Sequence, residues 1–143
     1  MTGPLLESRT LTVSIDCPPD RVYDFVSNPS NLPRWSFFEA VTETDDGWVV
    51  ETPDGPVGFR FLEANRLGVL DHRVRLPSGV EIQVPMRVIP NGRGSEVLFT
   101  LFRTPDMTDQ DFASDASQII GDLTKLKALL EGSGAGRPQG QPE

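Results

Sequence analysis

The sequence predicts an α+β fold: a curved antiparallel sheet of about seven strands wrapped around a long C-terminal helix, with two short helices after the first strand. Three observations carry this. Apolar residues alternate with polar ones over residues 10–16 and again from 38 to 103. Asn, Asp, Gly and Pro interrupt the second stretch at short, regular intervals. The period then changes to about 3.6 residues from Phe112 to the end of the patterned chain.

In the opening strand, Leu11, Val13 and Ile15 share one face and hydroxyl side chains share the other. Cys17-Pro18-Pro19-Asp20 stops it, and proline suits the first turn of a helix that carries Val22, Phe25 and Val26. A second break through Pro29 and Pro33 leaves room for one more helical turn before Trp35. Strands are expected over 38–44, 48–52, 57–63, 68–76, 80–89 and 96–103, joined by links too short for parallel crossovers. Pro85 has no amide to donate, so it marks an edge position or a bulge within the 80–89 strand. Phe112, Ala116, Ile119, Ile120, Leu123, Leu126 and Leu130 then form one helical stripe. Thr108 and Asp111 have capping-box spacing at its start, and Gly132 ends it. The domain is expected over 9–132, after an N-terminal extension of residues 1–8. Residues 133–143, without an apolar anchor, read as a disordered tail.

The 143 residues carry 21 acidic side chains against 13 Lys and Arg, a net charge of -8. No run of basic residues offsets that balance, which argues against nucleic acid and anionic membrane surfaces as partners. No apolar run approaches the roughly 20 residues that span a bilayer. The first ten residues lack a secretion-signal pattern, so a cytoplasmic location is expected. The single Cys17 allows no intrachain disulfide, and no His or second Cys near it would activate the thiol.

Three stretches resemble the START-like / polyketide cyclase-dehydrase (SRPBCC) superfamily. They are residues 13–26, a strand running through Cys17-Pro18-Pro19-Asp20 into the first helix; residues 28–35, ending in Arg34-Trp35; and residues 112–131, a closing helix containing Asp122 to Lys127. The resemblance spans roughly residues 9 to 131. It implies the helix-grip fold and a pocket between helix and sheet. It also implies ligands such as sterols, lipids, polyketides or plant hormones, and in some members cyclisation or dehydration. No stretch matches a catalytic motif of the superfamily.

Strand phase then selects candidate residues. His72, the sole histidine, alternates with Leu70, Val74 and Leu76, so it should face the pocket. It is the candidate catalytic residue, as a general acid or base, the other reading being a hydrogen-bonded core histidine. Phe25, Trp35, Phe37, Phe59, Phe61, Val74, Val84, Met86, Phe99, Phe112 and Ile119 are the candidate ligand-binding residues. Trp35 and Phe37 would form a lid at the pocket mouth or a plug in the core. On the next strand Val80, Ile82, Val84, Met86 and Val88 should share the inner face, whereas residues 96–103 are apolar on both faces and leave the phase open. Asp111, Asp115 and Asp122 fall off the helical stripe and are expected in solvent. Neither metal-ligand spacing nor a phosphate-binding glycine loop is present, so no metal and no cofactor are expected. Three functions fit. The first is a module binding a small hydrophobic molecule (polyketide-, lipid- or isoprenoid-like), as monomer or homodimer. The second is a polyketide cyclase or dehydratase using His72, and the third an interaction protein with a filled core.

Overall fold

The structure is a computed structural model that describes residues 3–45 and 47–132. The expected tail at 133–143 lies outside the described residues. The order is β1 (Ser8–Ile15), α1 (Pro19–Val26), a 3-10 turn (Pro29–Asn31) and α2 (Leu32–Trp35). The strands β2 (Ala40–Thr44), β3 (Gly47–Thr52), β4 (Gly55–Phe61), β5 (His72–Arg75), β6 (Glu81–Val84), β7 (Met86–Asn91) and β8 (Gly94–Phe102) follow, then α3 (Asp109–Gly132). The chain is α+β, with eight strands among the described residues. They form a three-stranded sheet, β1-β8-β7, and a five-stranded sheet, β2-β3-β4-β5-β6, antiparallel throughout.

The single strand expected over 80–89 is two strands in two sheets, divided at Pro85. The register with the preceding segment nevertheless continues across the division: His72 pairs Val84, Leu70 N–H donates to Met86 O at 2.8 Å, and Val69 bridges Arg87. Pro85 contributes only its carbonyl, which accepts from Thr100 N–H at 3.0 Å. Opposite it, the Asp71 carboxylate takes the Met86 amide at 2.8 Å and grips the Arg87 guanidinium with two bonds of 3.0 Å. A side chain thus replaces the missing rung, and the sheet bends there without stranding a donor. Gly68 sits at φ 74° where a Cβ would lie 2.2 Å from Val88 O, so this close approach needs glycine. The strand expected over 68–76 therefore starts as a crossing segment and becomes regular only at His72.

Helix α3 starts on the expected reciprocal cap. Thr108 Oγ1 accepts from Asp111 N–H at 3.0 Å, and Thr108 N–H donates to the Asp111 carboxylate at 3.1 Å. Its face of Phe112, Ala116, Leu123, Leu126 and Leu130 is buried. Its last turns are tied to β1: Lys127 Nζ donates to Ser14 O at 2.7 Å, and the Glu131 carboxylate accepts from Asp16 N–H at 2.8 Å. Two assignments on this helix are corrected. Ile120 is 47% exposed, and Asp122 is buried. Both lie about 80° from the centre of the stripe, on opposite margins, given about 100° per residue. Helix α2 and the turn after it cover the Asp122 margin and leave the other to solvent.

Candidate functional site

The concave side of the sheet is assembled from matched strand phases. Trp48, Phe59, Val74 and Ile82 lie in one row across β3 to β6, and Phe61, His72 and Val84 in the next. On the other sheet, Met86 pairs Phe99 and Leu11 pairs Phe99 from the far side, so the inward face of β8 is Val97, Phe99 and Leu101. This decides the phase that the doubly apolar strand left open. Val80, expected on the inner face, is 54% exposed at the β5–β6 turn, beyond the reach of the helix.

Aromatic rings run from the surface into this face. Phe37 is 39% exposed and packs on Phe38 at 4.7 Å, and Phe38 meets Phe59 edge-on at 5.8 Å. Phe59 in turn stacks on the His72 imidazole at 4.7 Å and an interplanar angle of 22°. Phe61 meets the same imidazole edge-on at 5.4 Å, and Phe99 lies 6.1 Å away. His72 Nδ1 is 3.0 Å from Leu70 O. A carbonyl only accepts, so Nδ1 carries the proton and Nε2 presents a lone pair. Burial among the rings pushes the His72 pKa down to about 4, so the imidazole is neutral near pH 7.

On α3, Asp122 is buried; Phe37 N–H donates to its carboxylate, and Gln118 Nε2 donates at 3.3 Å. Desolvation raises its pKa to about 6, against the smaller opposing pulls of those bonds and of Lys125. Burial raises Asp115, two helical turns earlier on α3, as well. The sequence reading put Asp122 in solvent because it falls off the helical stripe, although its place between Ile119 and Leu126 (three residues after one, four before the other) was a signal for partial burial. Cys17 is buried and its thiol is pushed up by desolvation, which suits an unreactive sulfur.

The expected binding residues divide into those that meet and those that do not. Phe59, Phe61, Val74, Val84, Met86 and Phe99 share the concave face with His72, and Ile119 packs against the same core from α3, whereas Phe112 is buried at the start of α3 apart from that core. Trp35 is 4% exposed and belongs to the core rather than to a lid; its Nε1 is sealed without a hydrogen-bond partner. Phe37 is on the outside of the aromatic row. Phe25 stands apart under the Arg34 guanidinium, 5.0 Å from its ring centre. The Tyr23 hydroxyl accepts from Asn65 N–H at 2.9 Å and holds the loop before Gly68.

Coverage of the concave face is incomplete. Ile119 sits in the middle of the α3 stripe yet is only half-buried, while Ala116 and Leu123 on either side are at 1% and 2%. Trp48, Phe61, Val74, Ile82 and Val84 are likewise half-buried although they point inward. Two other concavities are present. One of about 410 Å³ is lined by Tyr23, Asp24, Asn65, Leu67 and Val88 between α1 and β7. A second of about 260 Å³ is lined by Arg60, Phe61, Leu62, Asp71, His72, Arg73 and Gln83, and so adjoins the same imidazole.

No helix among the described residues is long and apolar enough to cross a membrane. Solved structures share this architecture at low identity. DynU16, from the dynemicin biosynthetic locus, superposes with a TM-score of 0.68 at 19% identity, covering 92% of this chain and 49% of that one. The Aha1 dimer from Colwellia psychrerythraea gives 0.69 at 16% identity, over 89% and 98% of the two chains. A START superfamily protein from Mycobacterium smegmatis gives 0.64 at 10% identity, over 85% and 94%. Such likeness establishes the fold. No curated protein matches the sequence. Residues 8–131, nearly all of the described chain, match the family model described as polyketide cyclase / dehydrase and lipid transport, and the protein belongs to this START-like family.

Proposed function

We propose that the protein binds a small hydrophobic molecule, polyketide-, lipid- or isoprenoid-like, between α3 and the five-stranded sheet. The observation that carries this reading is the half-buried Ile119 at the centre of an otherwise sealed helical stripe. It faces a concave surface whose Phe61, Val74, Ile82 and Val84 are also incompletely covered. A guest seated there would remove apolar surface from water, worth roughly 25 cal/mol per Å². DynU16, from a biosynthetic locus, and the family's lipid-transport designation point the same way. Net charge -8 favours a neutral small molecule over nucleic acid, and a carrier working in an aqueous compartment such as the cytoplasm is consistent with described residues that hold no helix long and apolar enough to span a membrane. The His72 imidazole, neutral down to about pH 4, suits binding better than proton transfer near neutral pH.

The test is titration with the neutral probe N-phenyl-1-naphthylamine, followed by its fluorescence. Saturable binding to the native protein is expected, and Val84→Trp, which fills the space beside His72, should weaken it by at least about tenfold. A native protein that gives no saturable signal, or a folded Val84→Trp variant that binds as well as the parent, contradicts the site.

A further inference from the structure

The geometry points to His72 Nε2 as a hydrogen-bond acceptor that selects a hydroxyl-bearing ligand, a neutral phenol or alcohol on an otherwise apolar molecule. The inference rests on the proposed binding site and specifies what it takes. The Nδ1–H of His72 is committed to Leu70 O at 3.0 Å, which places the lone pair on Nε2. The Asp71 carboxylate, next in sequence, is on the opposite face and fully engaged by Arg87 and the Met86 amide. Nothing among the described residues donates to Nε2, and yet it is not sealed: the one enclosed side-chain polar atom without a partner is Trp35 Nε1. Phe59 covers one face of the imidazole, with Phe61 and Phe99 around it, so the lone pair on Nε2 stands among aromatic rings.

The chemistry of a bare lone pair among phenyl rings is restrictive. A ketone, ether or carboxylate oxygen brought to it would set acceptor against acceptor, with no water left to intervene. A hydroxyl satisfies it, and the rest of the guest finds only carbon. A site built on a buried hydrogen-bonding group rejects the analogue that lacks the complementary group more strongly than an apolar wall rejects a change of shape. Here the discriminating group is a fixed tautomer, held by the backbone carbonyl of Leu70, two residues away in the segment that leads into β5.

The experiment is displacement of N-phenyl-1-naphthylamine by 2-naphthol and by 2-methoxynaphthalene, which keeps the ring system and replaces O–H by O–CH₃. The ether is the more apolar of the two, so a purely apolar site should prefer it. With His72 accepting, 2-naphthol should displace the probe at about tenfold lower concentration. In His72→Phe, which keeps a stacked ring, the ratio of the two displacing concentrations should fall to about one or reverse in favour of the ether, whatever the change in probe affinity. Equal or tighter binding of the ether to the native protein overturns the inference and leaves the binding site standing. Preference for 2-naphthol surviving in folded His72→Phe overturns it as well. Failure of the probe to bind at all removes both. Should His72→Phe not fold, the ¹⁵N resonance of Nε2 in the native protein decides: it should shift with 2-naphthol and not with the ether, and an unmoved resonance rejects the assignment.

Discussion

The two sheets are made of the same kinds of residue in the same antiparallel pattern, but they bury their inner faces to different degrees. On β1-β8-β7 the inward Ile15, Met86, Val88 and Val97 are at most 3% exposed and only Val13 and Leu101 are half-buried, because α1 and α3 lie over this sheet. On β2 to β6 the interior positions Val50 and Phe59 are equally covered, but Trp48, Phe61, Val74, Ile82 and Val84 are not. One sheet holds the fold together; the other presents an apolar surface still short of partners. Incomplete burial at inward positions is therefore informative about function, whereas apolar residues on the surface at large are ordinary.

The largest effect expected from this contrast is on stability. Leu126→Ala, at a fully buried position of α3, should cost about 2–5 kcal/mol, whereas Val84→Ala should cost under about 1 kcal/mol. Urea unfolding of the two variants measures the difference. Comparable losses would mean that the five-stranded sheet is as tightly packed as its neighbour, and the contrast would fail.

The seam between the sheets comes next. Asp71→Ala removes the carboxylate that stands in for the missing rung at Pro85, leaving the Met86 amide and Arg87 without their acceptor. A loss of about 1–3 kcal/mol is expected, with faster hydrogen exchange at Met86 as the local signature. A variant as stable as the parent, with Met86 equally protected, would show that the bend needs no side-chain support.

The smallest effect concerns the two ionisable groups that the interior holds neutral from opposite sides. For His72 the folded pKa is about 4 against an unfolded 6.5, so its neutral form stabilises the fold fully above pH 6.5, and that contribution is lost as pH falls toward 4. For Asp122 the folded pKa is about 6 against 3.8, so its contribution is fully present below pH 3.8 and is lost as pH rises through 6. Asp122→Asn keeps an acceptor for Phe37 N–H and removes the charge. It should raise stability by about 1 kcal/mol at pH 8, after allowance for solvent screening, and make no difference near pH 4. Urea midpoints across that range check the sign; a variant less stable than the parent at pH 8 would show that the Asp122 charge is welcome where it sits.

Much of this was legible in the chain itself. Alternation placed Phe59, Phe61, His72, Val74 and Val84 on one face, and their pairing is what alternation dictates, since successive side chains must point to opposite sides. The cap at Thr108 and Asp111 and the stripe to Leu130 followed from the helical repeat. The resemblance carried by residues 13–26, 28–35 and 112–131 pointed to the family that the chain proved to match. Other features needed the third dimension. Periodicity cannot see that Pro85 hands the strand from one sheet to the other, because the register runs on and only the neighbours change. Nor can it separate Ile120 from Asp122, which stand at equal angles from the stripe; the turn at Phe37, 85 residues earlier than Asp122 in the chain, covers only one of them. Spacing alone decided which residues face inward. Only the packing of α2 and α3 decided which of those are sealed and which, like Ile119 and the edge of His72, are left open, because coverage depends on where distant elements come to rest.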